Sequence, residues 1–140
     1  MKIVRDRWDV PHVFGRTRAD TEFGAGWVTA EDRGFLIELL RGPGRISALD
    51  VPGLDAFSLV GSGRVVVSSA ATESFLAAQV ALAQKAGARG RQLIRDTDAY
   101  VAGINAYNRA HGVQTARWTR NDVIAIATLI GAVFGKGGGD

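Results

Sequence analysis

With no cysteine among its 140 residues, the chain has no thiol nucleophile, disulfide or thiolate metal site. The side chains weighed for chemistry are its two histidines and a cluster among its fourteen carboxylates. His12 stands in the run Val10-Pro11-His12-Val13 and His111 stands beside Gly112. Neither has a serine and an acid in an order that suggests a hydrolytic triad. The first reads as a hydrogen-bonded structural histidine, the second as a cap on helix carbonyls. Glu31, Asp32 and Arg33 crowd charge onto an otherwise apolar helical pattern. That cluster reads equally as buried ion pairing or as a solvated face, and no second motif supports acid–base chemistry. The other conspicuous stretch is residues 123–134, VIAIATLIGAVF, in which Thr128 is the one polar residue.

The elements that must hold these residues follow from periodicity. Residues 2–6 and 11–14 read as two short strands: Ile3, Val4, Val13 and Phe14 favour extended backbone, and Pro11 keeps Val10 out of a helix. A long helix should then start near Asp20, its cap. Phe23, Trp27, Ala30, Phe35, Leu36, Leu39 and Leu40 recur at helical spacing, with Gly24 or Gly26 as the place for a bend and Gly42-Pro43-Gly44 as the stop. Residues 47–63 are rich in turn formers, and 64–68 fit a short strand. A helix over 72–86, with Phe75, Val80 and Leu82 inward, closes at Gly87. Another over 89–111 carries Leu93, Ile94, Tyr100, Val101, Ile104 and Tyr107 on one stripe and ends at Gly112.

Thr119 caps the last helix, and Asp122 in its first turn suits the helix dipole. That helix is apolar around its circumference and must be covered on every side. It is too short to cross a bilayer, which needs about twenty apolar residues, so no membrane partner is expected. Much of the cover should come from another polypeptide or from self-association of the isolated chain, the rival reading being a central helix fully wrapped by its own chain. The fold class is therefore mainly α with a short N-terminal β segment, in a single domain over 1–140.

Composition narrows the function. Hydrophobic residues at 46% and charged residues at 22% describe a globular chain, not a disordered or fibrous one. Seventeen basic against fourteen acidic side chains leave +3, but the basic residues are scattered or in mixed pairs such as Arg5-Asp6-Arg7. Without a basic stripe, no nucleic-acid partner is expected. No charged segment followed by an apolar run precedes Lys2, so no signal peptide is read here.

A series of short motifs adds a further reading. Arg5-Asp6, Val10-Pro11-His12-Val13, Gly24-Ala25-Gly26-Trp27-Val28, Ala30-Glu31-Asp32-Arg33 and Glu38-Leu39-Leu40 occur in one order. Ala99-Tyr100-Val101-Ala102-Gly103-Ile104-Asn105-Ala106-Tyr107, Trp118-Thr119 and Asp122-Val123 follow. Taken together the chain resembles the α chain of the penicillin acylase (penicillin amidase) family of N-terminal nucleophile hydrolases, over residues 2–140. Asp9 stands where that family usually has glycine, Leu36-Ile37 where it usually has Gln-Met, and residues 42–69 match poorly.

The resemblance implies the α-chain part of a four-layer αββα hydrolase, cut from one precursor and partnered by its β chain. It implies an amidohydrolase acting on a small-molecule acyl amide, such as an acylated β-lactam nucleus, an acyl-homoserine lactone or an acyl peptide. The nucleophile is then the N-terminal serine of the β chain, whose α-amine, with a pKa of about 7.7–8.0, serves as base. No catalytic residue is expected in these 140 residues, which alone should be inactive. An isolated, non-catalytic folding or interaction module is the alternative. Ile130, Val133 and Phe134 match positions that border the acyl pocket, with ordinary core packing as the rival reading. No cofactor is implied for catalysis. Asp140 coincides with an acidic residue that helps bind a structural calcium, and carboxylate oxygens suit that ion. Family members are periplasmic or secreted.

Overall fold

A computed structural model describes residues 1–49, 55–62 and 67–135. Two strands, β1 (Lys2–Arg5) and β2 (Pro11–Phe14), precede five helices: α1 (Arg18–Leu49), α2 (Ala56–Ser62), α3 (Ala70–Lys85), α4 (Ala88–Ala110) and α5 (Arg120–Gly135). The chain is mainly helical with an N-terminal two-stranded sheet, as the periodicity predicts. Contacts divide it into two compact units, one of Met1–Gly34 with Ala83–Thr119, the other of Phe35–Leu82 with Arg120–Asp140.

In the first unit β1 and β2 pair antiparallel, Ile3 opposite Val13 and Val4 opposite His12. The connecting turn is held by the Asp6 carboxylate, which accepts the Trp8 and Val10 backbone N–H groups at 2.9 and 3.0 Å. These bonds favour the ionised form and lower the Asp6 pKa. Asp9 sits in this turn at φ 63°, the one non-glycine residue at positive φ among the described residues. A left-handed backbone there explains why a glycine suits this position.

Thr17, not Asp20, is the N-cap of α1. The Asp20 N–H donates to Thr17 Oγ1 at 3.1 Å, and Asp20 Oδ2 accepts the Thr17 N–H at 3.1 Å. This reciprocal pair is a capping box. α1 and α4 then approach with their backbones in contact. A Cβ at Gly26 would overlap the Tyr100 carbonyl oxygen, and one at Gly103 would overlap that of Phe23. Around this crossing Ala30, Ile94, Val101, Ile104 and Trp118 are buried. Arg18 grips Asp96 with a two-pronged bond, Nε to Oδ1 at 2.9 Å and Nη2 to Oδ2 at 2.8 Å. The Asn105 amide does the same for the segment before α5, donating to the Trp118 carbonyl and accepting the Trp118 N–H, both at 2.9 Å. Leu93, placed on the α4 stripe by spacing, is exposed, and its neighbour Ile94 is inward.

In the second unit the sequence expectation of a stop at Gly42-Pro43-Gly44 fails, because α1 runs through Pro43 to Leu49. Pro43 and Gly44 are buried, and a Cβ at Gly44 would lie 2.7 Å from the Ala125 carbonyl carbon of α5. Arg45 Nη1 donates to the Arg41 carbonyl at 3.0 Å. Tertiary packing on both sides of the proline thus compensates for the backbone bond it cannot make. α3 begins earlier than spacing suggests, with Ser69 as its cap: Ser69 Oγ accepts the Thr72 N–H at 3.1 Å. Its inward residues are Thr72 and Leu76, while Phe75 and Leu82 are exposed. The strand expected over 64–68 falls mostly outside the described residues. Val67 and Ser68 have no regular structure.

Candidate functional site

α5 carries the three apolar residues singled out from the sequence, and the helix geometry decides which way they face. At about 100° per residue, Asp122, Ala125 and Leu129 share one side, and all three are buried. Val133 lies near that side, Ile130 further round and Phe134 nearly opposite it. Exposure rises in the same order, 37%, 49% and 78%. The three are neighbours at i, i+3 and i+4 on the last turns of the helix. They form an apolar patch that the described residues of this unit do not cover, so they are not members of its buried core. Among the described residues, one face of α5 is covered, chiefly at the N-terminal half.

That N-terminal half is held by charge. Asp122, whose side chain is 1% exposed, accepts from Arg41 Nε and Arg45 Nη1, each at 2.9 Å on the same oxygen. Arg41 also meets Glu38 at 3.1 Å. Arg45 Nε donates to Glu73 of α3 at 2.6 Å, and the Asn121 amide donates to the same carboxylate at 2.8 Å and to the Glu73 carbonyl at 3.2 Å. The Ser68 hydroxyl completes this shell on Glu73. Three helices of the unit therefore meet on one polar cluster beneath an apolar helix.

The hydrogen bond from Arg45, with help from Ser68 and Asn121, lowers the Glu73 pKa from 4.5 to about 2. A carboxylate depressed in the folded state contributes stability that is fully present above its unfolded pKa and is lost as the pH falls through the folded value. Glu73→Gln should therefore lower the urea midpoint near neutral pH, and its deficit should shrink between about pH 4.5 and pH 2. A deficit unchanged across that window would remove the ion-pair account.

Of the remaining sequence candidates, those among the described residues bond to neighbours in the first unit. Glu31 and Asp32 both bind the Arg5 guanidinium, at 2.7 and 2.5 Å, and so tie β1 to α1. They are neither deeply buried nor a free solvated face. His12 Nε2 is 3.2 Å from Asp6 Oδ2. His111 Nδ1 donates to the Tyr107 carbonyl at 2.9 Å, and its ring stacks on Tyr107 with centroids 4.1 Å apart. Asp140 lies outside the described residues, among which no group of three histidine or carboxylate side chains could hold a metal ion. Among them too, no helix is long and apolar enough to cross a membrane.

Sequence reasoning missed one feature, an open cleft of about 540 Å³ in the first unit, between Phe23, Val101, Asn105, Arg109 and Trp118. Its signal was available in the outward spacing of residues 98, 102, 105 and 109 along α4, but the Asn105 clasp on Trp118 that forms its wall joins residues thirteen apart.

These observations meet an independent comparison. The penicillin amidase family model matches residues 1–140, and the chain belongs to that family. One relative is penicillin acylase 2 proenzyme of Pseudomonas sp. (strain SE83), 29% identical over 146 residues. The match takes in 97% of this chain and 18% of that protein, so the chain spans less than a fifth of the relative's length.

Proposed function

We propose that this chain supplies one wall of the acyl pocket of an amidohydrolase that cleaves a linear amide into a carboxylic acid and an amine. The serine nucleophile and its α-amine base belong, in this reading, to a β chain cut from the same precursor. The observation that carries it is the patch of Ile130, Val133 and Phe134, turned outward at the end of a helix whose other face is buried. Such a patch costs free energy while wet and fits a site where an apolar group is recognised. Family membership over residues 1–140 supports the reaction class. The acyl amide is a small molecule, calcium at Asp140 is structural, and the 140 residues alone are inactive because they supply a wall and not the nucleophile. The enzyme works outside the cytoplasm, in the periplasm or after secretion.

The test is Phe134→Ala in the complete enzyme. Losing a discriminating aromatic contact should change the preference between phenylacetyl and short aliphatic amides by about 10- to 200-fold while self-cleavage proceeds normally. An unchanged preference in a properly processed enzyme would count against the pocket reading.

A further inference from the structure

α5 is anchored at one end and exposed at the other, and the two ends are joined by a helix about 18 Å long from Asp122 to Phe134. Where α1 crosses it, the contact is between small groups: Gly44 lies against the Ala125 backbone. Such a smooth contact holds two helices together but does little to fix how far one is rotated about its axis. A slip of one residue would turn the helix by about 100° and carry Phe134 away from its present direction. The contacts that do depend on angle are polar. Asp122 accepts from two arginines separated by one turn of α1, and Asn121 holds both the carboxylate and the carbonyl of Glu73.

We propose that Asp122, clamped by Arg41 and Arg45, is a positioning residue for acyl recognition: it fixes the rotation of α5 and thereby the placement of Ile130, Val133 and Phe134. The inference rests on reading those three residues as a pocket wall. It explains why a fully buried carboxylate stands in the first turn of a helix that is largely apolar from Val123 on, where burial of charge adds little stability by itself. Charge-assisted bonds are directional, and each planar guanidinium that reaches Asp122 with one nitrogen is held by a second carboxylate on another, Glu38 for Arg41 and Glu73 for Arg45.

The test compares Asp122→Asn, Phe134→Ala and the double variant in the complete, processed enzyme, with active sites titrated so that loss of folded protein does not enter the rates. Asp122→Asn keeps the side-chain shape and removes the charge that orients both guanidinium groups. It should shift the phenylacetyl-to-aliphatic preference by about tenfold or more, through KM, with kcat per titrated site nearly unchanged. In the double variant the two effects should be clearly less than additive, because the Asp122 change acts in large part through the placement of Phe134. If the preference moves in Phe134→Ala and not in Asp122→Asn, Asp122 is only structural and the inference is overturned. If it moves in Asp122→Asn alone, or the two effects simply add, the inference is also overturned. If neither variant moves it, the pocket reading falls as well. Should Asp122→Asn not fold, Arg41→Lys, which keeps the charge and loses the planar group shared between Asp122 and Glu38, is read by the same outcomes.

Discussion

Gly103→Ala is expected to destabilise the chain by about 3 kcal/mol or more, although it adds one methyl group. That group would overlap the Phe23 carbonyl oxygen and stand 2.8 Å from the Trp27 nitrogen. Both neighbours are helix backbone, which cannot swing aside as a long side chain does. To make room, α1 and α4 must separate, and the same interface carries the Arg18–Asp96 fork and the edge-to-face contact of Trp27 with Tyr107. Overpacking costs about 1–3 kcal/mol where the core can adjust, and more where backbone is in the way. Gly34 and Gly131 give the contrast, since a Cβ at either would meet nothing within 4 Å. Alanine there should stabilise its helix by about 0.5–1 kcal/mol. Urea midpoints of the three variants decide the matter. A Gly103→Ala chain as stable as Gly34→Ala would mean that the two helices are not in backbone contact.

These glycines also show what a sequence conveys and what it hides. Local signals placed α4 well, because Gly87 and Gly112, at φ 84° and 64°, end helices for reasons that need no tertiary partner. The direction of Ile130, Val133 and Phe134 was half legible. Their spacing puts them on one side of α5, but only the burial of Asp122, Ala125 and Leu129 shows that this side faces out. In α3 the choice between Phe75 and Leu76 is a phase error of one residue, settled by packing that the sequence does not display. Pro43 is the sharpest case. Local chemistry ends a helix there, and the burial of Gly44 against α5 together with Arg41 and Arg45 on either side keeps it going. The sequence shows Asp122 only as a charge suited to the helix dipole, since its arginine partners lie about eighty residues away in the chain.

The second large effect belongs to that distant pairing. Arg45→Met keeps most of the length and apolar bulk of the side chain but takes one of two guanidinium groups from Asp122 and its charge partner from Glu73. Stripping a partner from a buried carboxylate costs about 3–5 kcal/mol, because the charge remains and its compensation does not. A surface pair would cost about 0–1 kcal/mol, so the size of the loss discriminates between the two situations. Arg45→Met should therefore move the urea midpoint more than Arg18→Met, since the Arg18 guanidinium is largely exposed and Asp96, though buried, keeps the Gln92 amide when Arg18 is lost. Replacing Arg41, Arg45 and Asp122 together by Met, Met and Leu should recover much of the lost stability, since an apolar cluster of similar volume has no charge to desolvate. On the pocket reading proposed above, the same triple replacement in the complete enzyme should leave acyl preference disturbed, because rotation of α5 would no longer be set by directional bonds. Stability and preference would then part company in a single protein. Equal midpoints for Arg45→Met and the parent chain would show that Asp122 is satisfied without Arg45, and the cluster would lose its claim to hold the helix.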